Sequence, residues 1–322
     1  MKKAAEFRGI LLFLLLSFAG AWLISLPMWL DEKGLQHPLA SLLLPSMMAL
    51  PSAATLLVVF VLCPETKKTR LMGLRLGSRG WWRYWIFGWL VVPLFAILAP
   101  FVSTALGFYA LDVQEFSGFQ ELLMSRSDTA DLKATSIQIL VLGQLFSILL
   151  APVLNAIFAL GEEIGWRGYL LPKLLPLGQW PALLISGTTW GVWHAPIVLL
   201  GYNYPQHPDL GVVLMVAFCV IFGILFGWMR LSTGSIWPAV IARGALNGSA
   251  GVMYLFSRAG EEFDTAHAGI TGWTGWILPI AWILALVATR RLPVPHPPDM
   301  EPTKAGNKAE QTAPAGAQKP RS

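Results

Sequence analysis

Uninterrupted apolar runs of about twenty residues limit what this chain can fold into, because a segment of that length crosses a bilayer and exceeds what a soluble core helix needs. Such runs occur at 8–30, 41–63, 84–108, 137–160, 180–200, 211–229, 235–256 and 273–289. Hydrophobic residues make up 55% of the chain and charged residues 13%, so no polar surface is available to cover these runs in water. The expected fold class is all-α: a polytopic membrane protein of about eight transmembrane helices around a polar intramembrane cavity. Prolines inside the runs (Pro51, Pro93, Pro100, Pro152, Pro196 and Pro238) predict kinks, which neighbouring helices can accommodate.

Lys and Arg near the ends of the runs set the orientation. The N-terminus carries Lys2, Lys3 and Arg8, and Lys67, Lys68, Arg70, Arg75 and Arg79 fill the second connection. Arg167, Lys173, Arg230 and Arg290-Arg291 fall on the same side by alternation. The 109–136 loop opposite carries Asp112, Glu115, Glu121, Asp128 and Asp131. Both termini are therefore expected in the cytoplasm, and Trp81, Trp82 and Trp85 form an interfacial aromatic belt. Topology and attraction to anionic lipid account for the net charge of +5, so the partners are membrane lipid and a membrane-borne substrate, with no nucleic acid. The first run is too long for a signal-peptide core and reads as a retained anchor. Compact loops fit a bacterial inner membrane.

The organisation divides at 1–136 (N-terminal helices and loops), 137–289 (helical catalytic core) and 290–322 (a Pro-, Ala- and Lys-rich disordered tail). Cys63 and Cys219 lie in or at the end of spans and read as small buried hydrophobes.

Polar side chains inside a membrane are costly and mark function. "GEEIGWRG" ends the fourth run, "WGVWHAP" places His194 inside the fifth, and "WPAVIARGALNG" places Arg243 and Asn247 inside the seventh. Glu163 and Arg167 share a helical face and read as a structural ion pair. Glu162 points about 100° away, is left without a local cation, and is the carboxylate free to act as a general base. Arg243 and Asn247 share a face of their own. Their bland role is an interhelical clamp, with Arg243 paired to Glu162 or Glu163. Brought together, these groups would activate water with a carboxylate and an imidazole and steady an oxyanion with Asn and Arg donors, which suits amide hydrolysis. One tension stands in this reading: Glu162 ends its run, whereas His194 lies roughly 18 Å into the next at the helical rise.

The E-E-x-x-x-R string at 162–167, an aromatic residue four before histidine (Trp190 and His194) and a late polar pair ending in Asn247 resemble the motifs of the CAAX protease and bacteriocin-processing family of intramembrane endopeptidases. The likeness covers roughly residues 140–256. It implies Glu162 as base, His194 as its partner on water or metal, Asn247 as an oxyanion donor, and a peptide, lipidated protein or bacteriocin-type substrate. It also implies a divalent metal such as zinc, held by Glu162 and His194. Where the family has histidine four residues before the asparagine, this chain has Arg243. Guanidinium has no lone pair for a metal and zinc sites use about three protein ligands, so metal dependence is weakened while oxyanion donation is retained. Two further readings stay open: a catalytically silent relative, silenced by Arg243 and serving as a membrane scaffold or immunity protein, and a transporter.

Overall fold

The computed structural model describes residues 2–62, 68–77, 80–126, 135–295 and 297. Expectations placed on Cys63, Lys67, Arg79, Asp128, Asp131 and the tail beyond residue 297 lie outside the described residues, whereas the start of the segment expected to be disordered is held in place, with Leu292 and Val294 buried and Val294 bonded to Gln179. The described chain is helical throughout, with one isolated bridge between Leu111 and Ser257 and no β-strand among the described residues.

Among the described residues, four helices are long and apolar enough to cross a bilayer: Glu6–Leu30, Trp81–Ala105, Ile137–Leu154 and Pro208–Thr233. A pair of helices, Ala40–Met48 and Leu50–Leu62, is long and apolar enough when taken together but is bent by 41°, the form of a broken span or a re-entrant loop. Their outward faces carry exposed Leu11, Leu15, Leu23, Leu142, Phe146 and Val213, as lipid contact requires. This is an integral membrane protein. The remaining runs differ from a simple count of eight spans: they form shorter helices, Gln179–Trp193 followed by Ala195–Val198, Trp237–Ser249, and Trp273–Ala288.

Proline explains several of these interruptions. It lacks the N–H of an interior helical turn and its ring crowds the carbonyl four residues back. Pro51 and Pro196 each stand just inside a new helix, after breaks at Ala49 and His194. Pro152 precedes the break at Asn155, where the fourth run divides into Ile137–Leu154 and Ala156–Glu163. Beyond Glu163 the chain turns π-helical over Ile164–Leu170, and Tyr169, Leu170, Leu171 and Leu174 are all buried. The chain beyond Glu162 is thus packed inside the protein instead of emerging at its surface.

Glycine sets how closely the histidine-bearing helix Gln179–Trp193 approaches Pro208–Thr233. Gly187 and Gly191 are four apart, as are Gly223 and Gly227 on the facing helix, the small-xxx-small pattern of tight membrane crossings. A Cβ on Gly187 would lie 2.8 Å from the Cα of Val220, and one on Gly191 would collide with the Cα of Val216. The first helix braces the other side, where Trp193 Nε1 donates to the Ser17 carbonyl at 3.1 Å and Trp29 Nε1 donates to the Pro196 carbonyl at 2.8 Å.

Basic connections meet at one end of the bundle. Arg230, fully buried, donates to the carbonyls of Arg167 (3.1 Å) and Leu71 (2.9 Å). Its guanidinium lies 2.6 Å from where a Cβ on Gly73 would stand, and the positive φ of 68° at Gly73 independently disfavours any side chain there. At the other end Asp264 accepts from His207 Nε2 at 2.7 Å and from His267 Nδ1 at 3.0 Å, tying two loops together. Burial pushes the Asp264 carboxyl up, but the Ala266 N–H and the two histidines outweigh it, and its pKa is lowered overall.

Two outcomes follow. Gly191→Leu forces its helix away from Val216 and destabilises the protein by about 1–3 kcal/mol or more, read as a lower unfolding temperature in detergent. The Asp264 clasp contributes stability above the ordinary Asp pKa, about 3.9. That contribution is lost as pH falls through the lower folded value, so unfolding curves of wild type and Asp264→Asn separate at neutral pH and converge in acid.

Candidate functional site

The glutamate helix Ala156–Glu163 packs against the arginine helix Trp237–Ser249 and against Leu50–Leu57. Its backbone comes close at glycine: a Cβ on Gly161 would lie 2.8 Å from the Met48 carbonyl, and Ser52 Oγ donates to the Gly161 carbonyl at 2.6 Å. The break in the bent pair is therefore the surface on which Glu162 and Glu163 are mounted. A π-helical turn begins immediately after them, a feature that often marks functional sites because it resets the side-chain register.

Four buried charges meet here. Glu162, Glu163, Arg167 and Arg243 are each at most 2% exposed. Glu163 Oε1 accepts from Arg167 Nη1 at 3.0 Å and from Arg243 Nε at 2.5 Å. Arg243 Nη1 donates to Glu162 Oε2 at 2.9 Å, and Trp166 Nε1 adds a bond to the same oxygen at 3.2 Å. Glu162 is thus not free of a local cation, as its position on the helix suggests. Arg243 reaches it from a helix eighty-one residues away in sequence. The Arg243 guanidinium also lies over the Trp190 ring, 4.0 Å from its centroid, and Arg167 lies 4.8 Å from the same ring. Two cations balance two anions in a place where an unpaired charge would be expensive.

A cavity of about 310 Å³ opens beside this cluster. Glu162, His194, Arg243 and Asn247 all line it, so three separate helical segments deliver their polar groups to one space. Glu163 and Arg167 stand behind it, outside the lining. Much of the wall is apolar, including Met47, Phe158, Ile197 and Phe218. His194 caps the Gln179–Trp193 helix, and its Nδ1 lies 2.9 Å from the Trp190 carbonyl. A carbonyl only accepts, so Nδ1 carries the proton and Nε2 keeps its lone pair. Asn247 is exposed within its helix.

Asn155, Tyr202 and Trp190 also line the cavity. Asn155 sits at the proline-induced break and donates to the Gly244 carbonyl at 3.4 Å. A polar residue three positions after an in-span proline was the signal for it. Trp190 acts here as the floor under two guanidinium groups, a role that its spacing from His194 does not disclose.

The donor set does not suit a divalent metal. Among the described residues there is no group of three or more His, Cys, Asp and Glu side chains that could hold one. Of the side chains lining the cavity, Glu162 and His194 are the zinc-ligating types, with the Asn247 amide oxygen as a weaker third donor, and a fixed guanidinium cation occupies Glu162 Oε2. No step is therefore drawn through a metal.

Removing Arg243 leaves Glu162 buried without a cation, so Arg243→Gln destabilises the protein by about 3–5 kcal/mol. The Glu162→Gln/Arg243→Gln double variant loses less than the sum of its parts, read from unfolding midpoints in a double-mutant cycle.

In comparison with known proteins, the sequence model of a family described as "Type II CAAX prenyl endopeptidase Rce1-like" matches residues 141–249. That stretch contains all three motifs and bears out the resemblance read from them. No curated protein matches the chain.

Proposed function

We propose that this chain, a relative of the type II CAAX prenyl endopeptidases over residues 141–249, is an intramembrane endopeptidase that cleaves peptide bonds in membrane-associated or lipidated substrates. The observation that carries the reading is the convergence of Glu162, His194, Arg243 and Asn247 on one cavity within the matched segment. Both donors to Glu162, from Trp166 and Arg243, fall on Oε2, so Oε1 is the oxygen left to take a proton from water. His194 Nε2 accepts a hydrogen bond from that same water and orients it. The hydroxide formed attacks the scissile carbonyl, and the carbonyl electron pair moves to oxygen. Arg243 and Asn247 donate to this oxyanion. Its collapse expels the amine, which takes back the proton held on Glu162. The apolar wall of Met47, Phe158, Ile197 and Phe218 suits a lipid-modified or apolar peptide segment.

The same reading orients the molecule with its basic end in the cytoplasm, both termini there, in a bacterial inner membrane. The shorter helices that carry His194 and Arg243 complete a bundle of about eight membrane segments, some of them ending at the cavity instead of crossing fully.

One observation favours a second reading. Arg243 bridges both carboxylates at 2.9 and 2.5 Å, so Glu162 is already engaged in a buried ion pair that a base would have to share with its substrate water. A silenced relative that binds lipidated partners as a scaffold or immunity protein would carry this arrangement.

The deciding experiment uses purified protein in lipid vesicles with a prenylated CAAX peptide and a quenched peptide library, with and without chelator. The endopeptidase reading expects chelator-resistant cleavage that falls by about a hundredfold or more in Glu162→Ala, since general-base groups supply 10²–10⁴ in rate. An inert wild type with cleavage restored by Arg243→His establishes the silent reading instead.

A further inference from the structure

Away from the catalytic cavity, a second and larger cavity of about 590 Å³ lies at the basic end of the bundle. Its wall carries Arg83, Arg290 and Arg291 together with Tyr84, Trp228 and Trp282. No carboxylate lines it among the described residues. We propose that this cavity is a binding site for the phosphodiester headgroup of an anionic phospholipid.

The cavity is built from fixed parts. The helix Ile277–Ala288 ends in a turn in which Arg290 adopts a positive φ of 56°, with its N–H donating to the Val287 carbonyl at 3.0 Å and that of Arg291 to the Leu286 carbonyl at 2.8 Å. This turn reverses the chain and sets both arginines on the cavity wall. The segment that follows is tied down by Gln179, whose amide accepts from the Val294 N–H and donates to the Val294 carbonyl, both at 2.8 Å. Leu292 and Val294 are buried beneath it. Opposite, Arg83 extends from the start of a membrane-spanning helix, beside Tyr84 and buried Phe87. Trp228 forms the base, in edge contact with Phe87 at 5.4 Å.

Charge and apolar surface together identify the ligand. Three guanidinium groups without a lining carboxylate attract a phosphate, and Arg holds phosphate oxygens through paired N–H donors. A free phosphate would need nothing more. Yet the flanking helices continue away from the arginines as exposed apolar faces, Ile86 and Leu90 on one and Ile280, Trp282, Leu284 and Val287 on the other. Acyl chains lie along such faces while the headgroup stays at the arginines. The site is therefore lipid-specific, independent of the catalytic reading, and suited to holding the protein's basic end against an anionic leaflet.

The test is native mass spectrometry of the full chain released from vesicles of phosphatidylglycerol and phosphatidylcholine mixed equally, with unfolding temperatures recorded alongside. Wild type retains a phosphatidylglycerol adduct in preference to phosphatidylcholine, and millimolar inorganic phosphate does not remove it. Arg290→Gln/Arg291→Gln loses that preference by roughly tenfold or more with its unfolding temperature in lipid-free detergent unchanged, and Arg290→Lys/Arg291→Lys recovers part of it. Equal retention in wild type and the glutamine variant overturns the proposal. Competition by inorganic phosphate overturns it too, in favour of a free-phosphate site.

Discussion

A guanidinium held between two carboxylates is the interaction on which this protein depends. Within a membrane, neither charge type survives alone, and Arg243 satisfies Glu162 and Glu163 at once while resting on the face of Trp190. To do so it needs the arginine helix against the glutamate helix, the glutamate helix seated on the break between Met48 and Pro51, and the histidine helix near enough to bring Trp190 beneath it. Much of the close packing serves that requirement. Gly161 admits the Met48 carbonyl, Gly187 and Gly191 admit the long Pro208–Thr233 helix, and Arg230 fixes the carbonyl of Arg167 from outside. The cluster is at once the main electrostatic liability of the fold and the frame of its cavity.

That double role explains the chemical ambiguity of the site. An arginine that neutralises Glu162 also makes a strong oxyanion donor, because its charge is fixed and its N–H groups are already oriented. In the proposed endopeptidase reading, the contact that hinders proton abstraction is also the one that would assist the tetrahedral intermediate. Under the same proposal the division of hydrogen bonds between the two oxygens of Glu162 would ease this conflict, since both donors fall on Oε2 and Oε1 would be left for the proton. His194, with its Nδ1 proton committed to the Trp190 carbonyl, presents an acceptor without becoming a second cation beside Arg243.

Much of this was legible in the sequence, for a physical reason. Charges in apolar runs are rare because they are costly, so Glu162, Glu163, Arg167, His194, Arg243 and Asn247 stand out in composition alone, and helical spacing pairs Glu163 with Arg167. The interhelical clamp offered for Arg243, paired to Glu162 or Glu163, is present with both carboxylates at once, although local spacing could not choose between them across helices eighty residues apart. Hydropathy also overstated the straightness of the spans. It averages over Ala49, Asn155 and His194, where proline-associated breaks end one helix and start another. The glycine pairs 187/191 and 223/227 carry the packing of the histidine helix, but a hydropathy window treats them as ordinary apolar residues. The bent helix pair, outside the family match, supplies both the seat for Glu162 and part of the cavity wall, which a motif-centred reading assigns to no function.

The central claim is that Glu162 drives water onto a peptide bond inside this cavity. It is tested most directly by cleaving a prenylated CAAX peptide in oxygen-18 water and weighing the products. The account predicts one labelled oxygen in the new carboxylate of the amino-terminal fragment from wild type, and no labelled fragment above background from Glu162→Gln. Cleavage by Glu162→Gln at the wild-type rate would contradict it, placing the chemistry elsewhere in the chain.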